Sequence, residues 1–246
     1  MDFYTDLLRQ FEILKYDCDF TYINRVIEKF EYNLVNDFYN FLFENSKRGI
    51  FFSKNDIEKI AIRHVYECMV YISILVEGNY VSHETRVLDV GSGAGLPGYL
   101  FYCLIEKPKE VILLDASKRK LSLLENFCSE KNAYRIKFIY RRIEETDLKA
   151  NVVVTRALIP FPFNAVLVRH AFENFLGIFA GRLDISSKEI DYLRENNLMI
   201  DEIKTIPSLE FLGERKLILI SHLDKRKKMK PVQWKNLLRE MEKWRI

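Results

Sequence analysis

Apolar residues recur at helical spacing through residues 1–80 and give way to short, separated runs from Arg86 onward. Ile23, Val26, Ile27, Phe30, Leu34, Phe38, Phe41 and Leu42 fall three or four positions apart, as do Ile57, Ile60, Ala61, Val65, Met69, Ile72 and Leu75. That spacing lays one apolar stripe along a helix. Asn45-Ser-Lys-Arg-Gly49 separates the two stretches, and Ser53 with Asp56 offers a cap to the second. Residues 1–48 contain no glycine or proline. The pattern predicts an amino-terminal helical cap over residues 1–80.

After it, strand-like runs at 86–90, 110–115, 135–140, 151–155, 176–180, 199–206 and 215–221 alternate with helical stretches at 97–106, 118–131, 162–174 and 187–196. Alternating β-α units predict a parallel sheet with helices on both faces. Pro207 to Glu214 is too short for a helical crossover, so the last two strands should pair antiparallel. The expected fold is α/β: a mostly parallel, seven-stranded Rossmann-like sheet ending in an antiparallel hairpin, over residues 81–222. Such an ending favours the methyltransferase form of the fold over the dehydrogenase form. Residues 223–246 form a third segment, in which Val232, Leu237, Leu238, Met241 and Trp244 make the apolar stripe of a short helix.

The first strand runs into Gly91-Ser-Gly-Ala-Gly-Leu-Pro-Gly98. Strand, glycine turn and helix in that order leave free backbone N–H groups beside the positive end of a helix dipole, where an anionic group of a nucleotide is held. The acid Asp115 ends the next strand, 24 residues past Gly91. It suits the two hydroxyls of a ribose, in NAD or in S-adenosylmethionine alike.

Charge adds a second theme. The chain of 246 residues carries a net +3, but residues 223–246 hold nine Lys/Arg against three Asp/Glu, leaving 29 against 32 elsewhere. A basic tail on a slightly acidic body points to a polyanion. Lys225, Arg226, Lys227 and Lys228 are its densest run. More cations follow successive strands: Lys118, Arg119 and Lys120, then Arg141 and Arg142, then Arg156, then Arg182. They predict a phosphate-binding rim at the carboxyl edge of the sheet. The four cysteines and four histidines lack metal-ligand spacing, so no metal site is expected, and buried free thiols suit a reducing compartment. The first residues lack the basic start of a signal peptide, and no apolar run is long and uninterrupted enough to span a bilayer.

The acceptor can be narrowed. Thr155-Arg-Ala-Leu-Ile-Pro160 follows the fourth strand in place of the Asn/Asp-Pro-Pro-Tyr/Phe run that orients an exocyclic amine, and no cysteine sits at that edge in a motif for covalent attack. Guanine N7 needs no proton removed before its lone pair attacks a sulfonium methyl, so positioning and electrostatics would suffice.

Asp89-Val-Gly-Ser-Gly-Ala-Gly-Leu-Pro-Gly98, Leu113-Leu-Asp-Ala-Ser-Lys-Arg119, Arg142-Ile-Glu-Glu145, Thr155-Arg-Ala157 and Gly213-Glu-Arg-Lys216 occur in order, preceded by Ile62-Arg-His64. Over roughly residues 55–221 this set resembles the glucose-inhibited division protein B family, bacterial methyltransferases of guanine N7 in small-subunit ribosomal RNA. The resemblance implies S-adenosyl-L-methionine as cofactor. It implies small-subunit ribosomal RNA or the 30S particle as partner. The lack of a signal-peptide start and of a bilayer-spanning run points to the cytoplasm, and a monomer is expected. It further implies that Gly91, Leu96, Ile143, Glu144 and Arg156 line the cofactor pocket, with Gly93, Gly95 and Asp115 close by. Arg142 and Arg156 would face the target nucleotide, and Arg63 with His64 would bring the helical cap to the same mouth. Simpler roles compete: Arg156 could pair with a carboxylate such as Glu144, and His64 could be a satisfied interior histidine. The chain departs from the family pattern at Asn151, usually aspartate, at Phe179-Ala-Gly-Arg182, which lacks a lysine, and at His64-Val-Tyr-Glu-Cys68. Methylation of another substrate, or RNA binding without catalysis on the same fold, are the alternatives, with a NAD oxidoreductase last.

Overall fold

The computed structural model describes residues 1–16, 19–181 and 184–244. Seven strands, β1 (Arg86–Val90), β2 (Glu110–Leu114), β3 (Ile136–Ile139), β4 (Ala150–Arg156), β5 (Phe172–Ala180), β6 (Leu198–Thr205) and β7 (Lys216–His222), form one sheet in the order β3-β2-β1-β4-β5-β7-β6. β1 to β5 pair in parallel, and β7 runs antiparallel between β5 and β6.

Side chains alternate across each strand, and both faces are buried, which is why the strands read as continuous apolar runs. Val87, Val111, Leu113, Val152 and Val154 join one core; Leu88, Val90, Ile112, Leu114 and Val153 join the other. The helices after β1 and β2, α6 (Gly98–Tyr102) and α7 (Lys118–Glu130), cover the first face. Those after β4 and β5, α8 (Phe163–Val168) and α9 (Ser187–Glu195), cover the second. Right-handed crossovers that step away from β1 in opposite directions require this division. A crevice therefore opens at the carboxyl ends of β1 and β4, where the strand order reverses.

The amino-terminal helices, α1 (Phe3–Ile13), α2 (Phe20–Ile27), α3 (Tyr32–Lys47), α4 (Lys54–Ile57) and α5 (Glu67–Glu77), share the first core, with Phe38 stacked on Tyr99 of α6 at 4.3 Å. On the other face the carboxyl-terminal α10 (Trp234–Lys243) docks against α8 and α9.

Three elements differ from the pattern-based expectation. Residues 60–66 form a π-helix between α4 and α5, and its wide turn buries Ile60, Ala61, Ile62, Val65 and Tyr66 together. The helix expected over 97–106 ends at Tyr102, because the Cys103 carbonyl accepts from the Glu31 amide (2.7 Å) and the Ile105 amide donates to Lys29 (2.9 Å). The helix expected over 162–174 ends at Val168, and β5 begins at Phe172, whose ring stacks on His222 at 4.2 Å. Among the described residues no helix is long and apolar enough to cross a membrane.

Candidate functional site

The turn after β1 is tied to its neighbours through its backbone. The Gly91 amide donates to the Leu114 carbonyl at the end of β2 (2.8 Å), and the Gly93 amide donates to Oδ2 of Asp115 (2.8 Å). Beneath the turn, fully buried Asp89 accepts from the Gly98 amide at the start of α6 (2.9 Å). Burial pushes the Asp89 carboxyl up to about 7, against the opposing pull of that bond. Gly91 and Gly93 have φ of +80° and +51°, the left-handed region open to glycine. A Cβ on Gly91 would lie 2.7 Å from Leu158, whereas one on Gly93 would make only van der Waals contact, 3.9 Å from the Gly91 carbonyl and 4.0 Å from the Asp115 carboxylate.

Two cavities sit at this edge. The smaller, about 210 Å³, is walled by Gly91, Asp115, Arg141, Arg142, Ile143 and Glu144, with Leu158, Ile159 and Trp234. Asp115 takes the Ser117 amide on its other oxygen (2.7 Å) and has acceptor capacity to spare. Oε1 of Glu144 is buried without a hydrogen-bond partner; its nearest cation, Arg142, is 3.9 Å away. An amine would satisfy it. The bare glycine turn, the spare capacity of Asp115 and this orphaned acceptor fit an adenosine-type cofactor.

The larger cavity, about 500 Å³, adjoins the first at Ile159 and is lined by Arg63, His64, Glu67, Arg156, Asn164 and Arg215 among others. Glu67, at the first turn of α5, bonds Arg156 with one oxygen (2.9 Å) and the Nε of Arg215 with the other. Arg156 also donates to the Arg63 carbonyl (3.1 Å) and to Nδ1 of His64 (3.1 Å). A guanidinium only donates, so Nδ1 accepts and the His64 proton is on Nε2, which is buried without a partner. Burial, helped by Arg156, drives the His64 pKa down to about 3, and its ring stacks on Phe52 at 4.0 Å. Ala157, at φ +53°, turns the chain so that Arg156 enters one cavity and Leu158 the other. This left-handed conformation costs a residue with a Cβ about 1–2 kcal/mol.

The chain matches the family model described as rRNA small subunit methyltransferase G over residues 31–217. It is 37% identical to the ribosomal RNA small subunit methyltransferase G of Leptospira biflexa over 219 residues, covering 86% of this chain and 88% of that one. With the same-named protein of Leptospira interrogans it shares 32% over 217 residues, 86% and 84% of the two chains. The chain belongs to the rRNA small subunit methyltransferase G family. Among solved structures, magnesium protoporphyrin IX methyltransferase from Synechocystis PCC 6803 with bound SAM superposes with a TM-score of 0.51 at 14% identity, over 72% of this chain and 89% of that one. That likeness shows the methyltransferase fold.

Family membership makes the placement of each expected residue informative. Gly91, Asp115, Ile143 and Glu144 line the smaller cavity; Gly93, Gly95 and Leu96 belong to the turn itself. Arg156 lines the larger cavity, beside the smaller one, and its carboxylate partner is Glu67 rather than Glu144. Arg142 goes the other way, into the smaller cavity with Arg141. Arg63 and His64 reach the larger cavity on the π-helix, while Lys118 and Arg119 are exposed on the first turn of α7. The expected rim does not include the tail cations: Lys225, Lys227 and Lys228 line a separate cavity with Lys149, Glu173 and His222, at the opposite, amino edge of the parallel strands. Arg226, between them, is exposed. Arg182 lies outside the described residues. Asn151 also sits at the amino edge, where its side chain accepts from the Arg86 amide (2.8 Å), so this departure does not touch the site.

Glu67, Arg215, Leu158 and Trp234 were not singled out from sequence. Arg215 lies in one of the segments that resemble the family and Glu67 in one that departs from it, and nothing in their charge indicates that they meet across 148 residues. The three described cysteines are no nucleophiles. Cys68 and Cys128 are pushed up to about 12 by burial, and Cys103 well above its usual value. Among the described residues no His/Cys/Asp/Glu group could hold a metal ion.

Proposed function

We propose that the chain transfers the methyl group of S-adenosylmethionine to N7 of a guanine in small-subunit ribosomal RNA, acting as a monomer in the cytoplasm. The observation that carries this reading is the pair of adjoining cavities at Ile159, one built on the glycine turn and one lined by arginines. S-adenosylmethionine supplies an electrophilic methyl on a sulfonium centre. Gly91, Asp115, Ile143 and Glu144 hold its adenosine portion: Asp115 accepts from the ribose hydroxyls and Glu144 Oε1 from the amine.

The acceptor base enters the larger cavity. Arg63, His64 and Arg156 are its positioning residues, with Arg215 and Glu67 fixing the Arg156 guanidinium. Guanine O6 is an acceptor that the arginines can bind by donation, while N7 has to stay free of any donor because its lone pair attacks the methyl. The three arginines of this cavity do not raise the nucleophilicity of the base. Their work is orientation and the binding of the flanking phosphates, with Lys118, Arg119 and Arg141 extending that surface. The buried, neutral imidazole of His64 accepts from Arg156 and so helps to orient that guanidinium without adding charge.

The test is transfer of labelled methyl from S-adenosylmethionine to small-subunit particles that lack the modification, with wild type and with Arg156→Ala. Transfer by the wild type, lost in the variant while S-adenosylhomocysteine still binds, supports the reading. Transfer by Arg156→Ala at the wild-type rate contradicts the role given to the larger cavity.

A further inference from the structure

One wall of the smaller cavity comes from outside the family match. The match ends at residue 217, yet Trp234, the first residue of α10, lines that cavity together with Gly91, Asp115, Ile143 and Glu144. The Arg142 guanidinium lies 5.6 Å from the centroid of its ring.

The rest of α10 holds the indole in place. Leu237 is fully buried in the second core. Trp244 packs edge-on against Phe163 (5.3 Å) and Tyr192 (5.2 Å), and the Lys188 ammonium sits 4.0 Å from its ring. The Tyr192 hydroxyl donates to Glu240. This is a docked helix, attached to the elements that follow β4 and β5.

A flat apolar wall in a cavity that also holds an orphaned carboxylate oxygen, that of Glu144, is suited to a heteroaromatic ring bearing an exocyclic amine. The ring face lies on the indole or on Ile143, and the amine donates to the carboxylate. We infer that Trp234 is a binding residue for the adenine of the methyl donor, which makes the carboxyl-terminal helix a working wall of the donor pocket and not only a carrier of positive charge. The inference rests on the donor occupying the smaller cavity, as proposed above. Donor affinity then depends on the docking of α10.

The experiment is calorimetric titration of the full-length protein with S-adenosylhomocysteine, comparing wild type, Trp234→Ala and Trp234→Phe. The alanine variant should bind about tenfold more weakly and the phenylalanine variant within about threefold of wild type, since a base keeps most of its stacking on a smaller ring. A second arm uses fluorescence. The chain has two tryptophans, so Trp244→Phe leaves Trp234 as the sole tryptophan, excited apart from the tyrosines at the red edge of the absorption band. Its emission should change saturably with S-adenosylhomocysteine. Wild-type affinity in Trp234→Ala, or emission of Trp244→Phe that does not respond to bound ligand, overturns the inference. Should the alanine variant fail to fold, the phenylalanine titration and the fluorescence arm decide. A wild-type protein that takes up no S-adenosylhomocysteine overturns the donor-pocket reading itself.

Discussion

Glu67 binds two guanidinium groups at once, with its side chain 6% exposed. Removing one partner of a buried ion pair costs about 3–5 kcal/mol, because the others are left charged and uncompensated. Glu67→Gln should therefore lower stability in denaturant titrations by about 3 kcal/mol and methyl transfer by at least about tenfold, while calorimetry finds donor affinity little changed. Equal loss of donor affinity would mean that the two cavities are not separate in function. His64 and Asp89 make opposite contributions to pH dependence. Burial keeps His64 neutral down to about 3, so unfolding takes up a proton below about 6.5; its stabilisation is present above that pH and fades as pH falls. Burial raises Asp89 to about 7, so unfolding releases a proton between about 4 and 7, and stability falls as pH rises through that window. Relative to wild type, His64→Gln should gain about 1 kcal/mol per pH unit on acidification below about 6.5. Urea titrations across that range measure it, and a constant difference would show that His64 is not held neutral.

At the scale of elements, what could be read from the chain followed from periodicity, and what could not came from pairing at a distance. The β1 run and the glycine turn were legible because a buried parallel strand is apolar throughout and a close backbone approach demands glycine. The π-helix was not, since five buried residues within Ile60–Tyr66 look like an ordinary apolar stretch until the Gln10 side chain is seen to accept from the Ile62 amide at 3.0 Å. Nor was the course of residues 223–244. Composition showed their charge, but the placing of Lys225 to Lys228 at the amino edge and of Trp234 at the carboxyl edge depends on α10 docking against α8 and α9. This placement separates two effects of the tail. Changing Lys225, Arg226, Lys227 and Lys228 together to alanine should leave donor binding unchanged. If they contact phosphates, the slope of log RNA affinity against log salt should shrink by about 3. An unchanged slope would remove this segment from the RNA surface.

Over the whole molecule, the sheet order brings sequence-distant parts to one crevice. The π-helix and α5 supply Arg63, His64 and Glu67, the loops after β1 and β2 supply Gly91 and Asp115, the end of β4 supplies Arg156, and the turn before β7 supplies Arg215. The glycine turn is the central support of that arrangement. Gly93→Val tests it where an added Cβ makes only van der Waals contact, with the Gly91 carbonyl and the Asp115 carboxylate, and where φ of +51° strains any residue but glycine. The decisive measurement is transfer of radiolabelled methyl from S-adenosylmethionine to small-subunit particles lacking the modification, with the labelled nucleoside then identified. The account predicts label at N7 of guanosine with the wild type and almost none with Gly93→Val. Label on any other atom, or undiminished transfer by Gly93→Val, would contradict it.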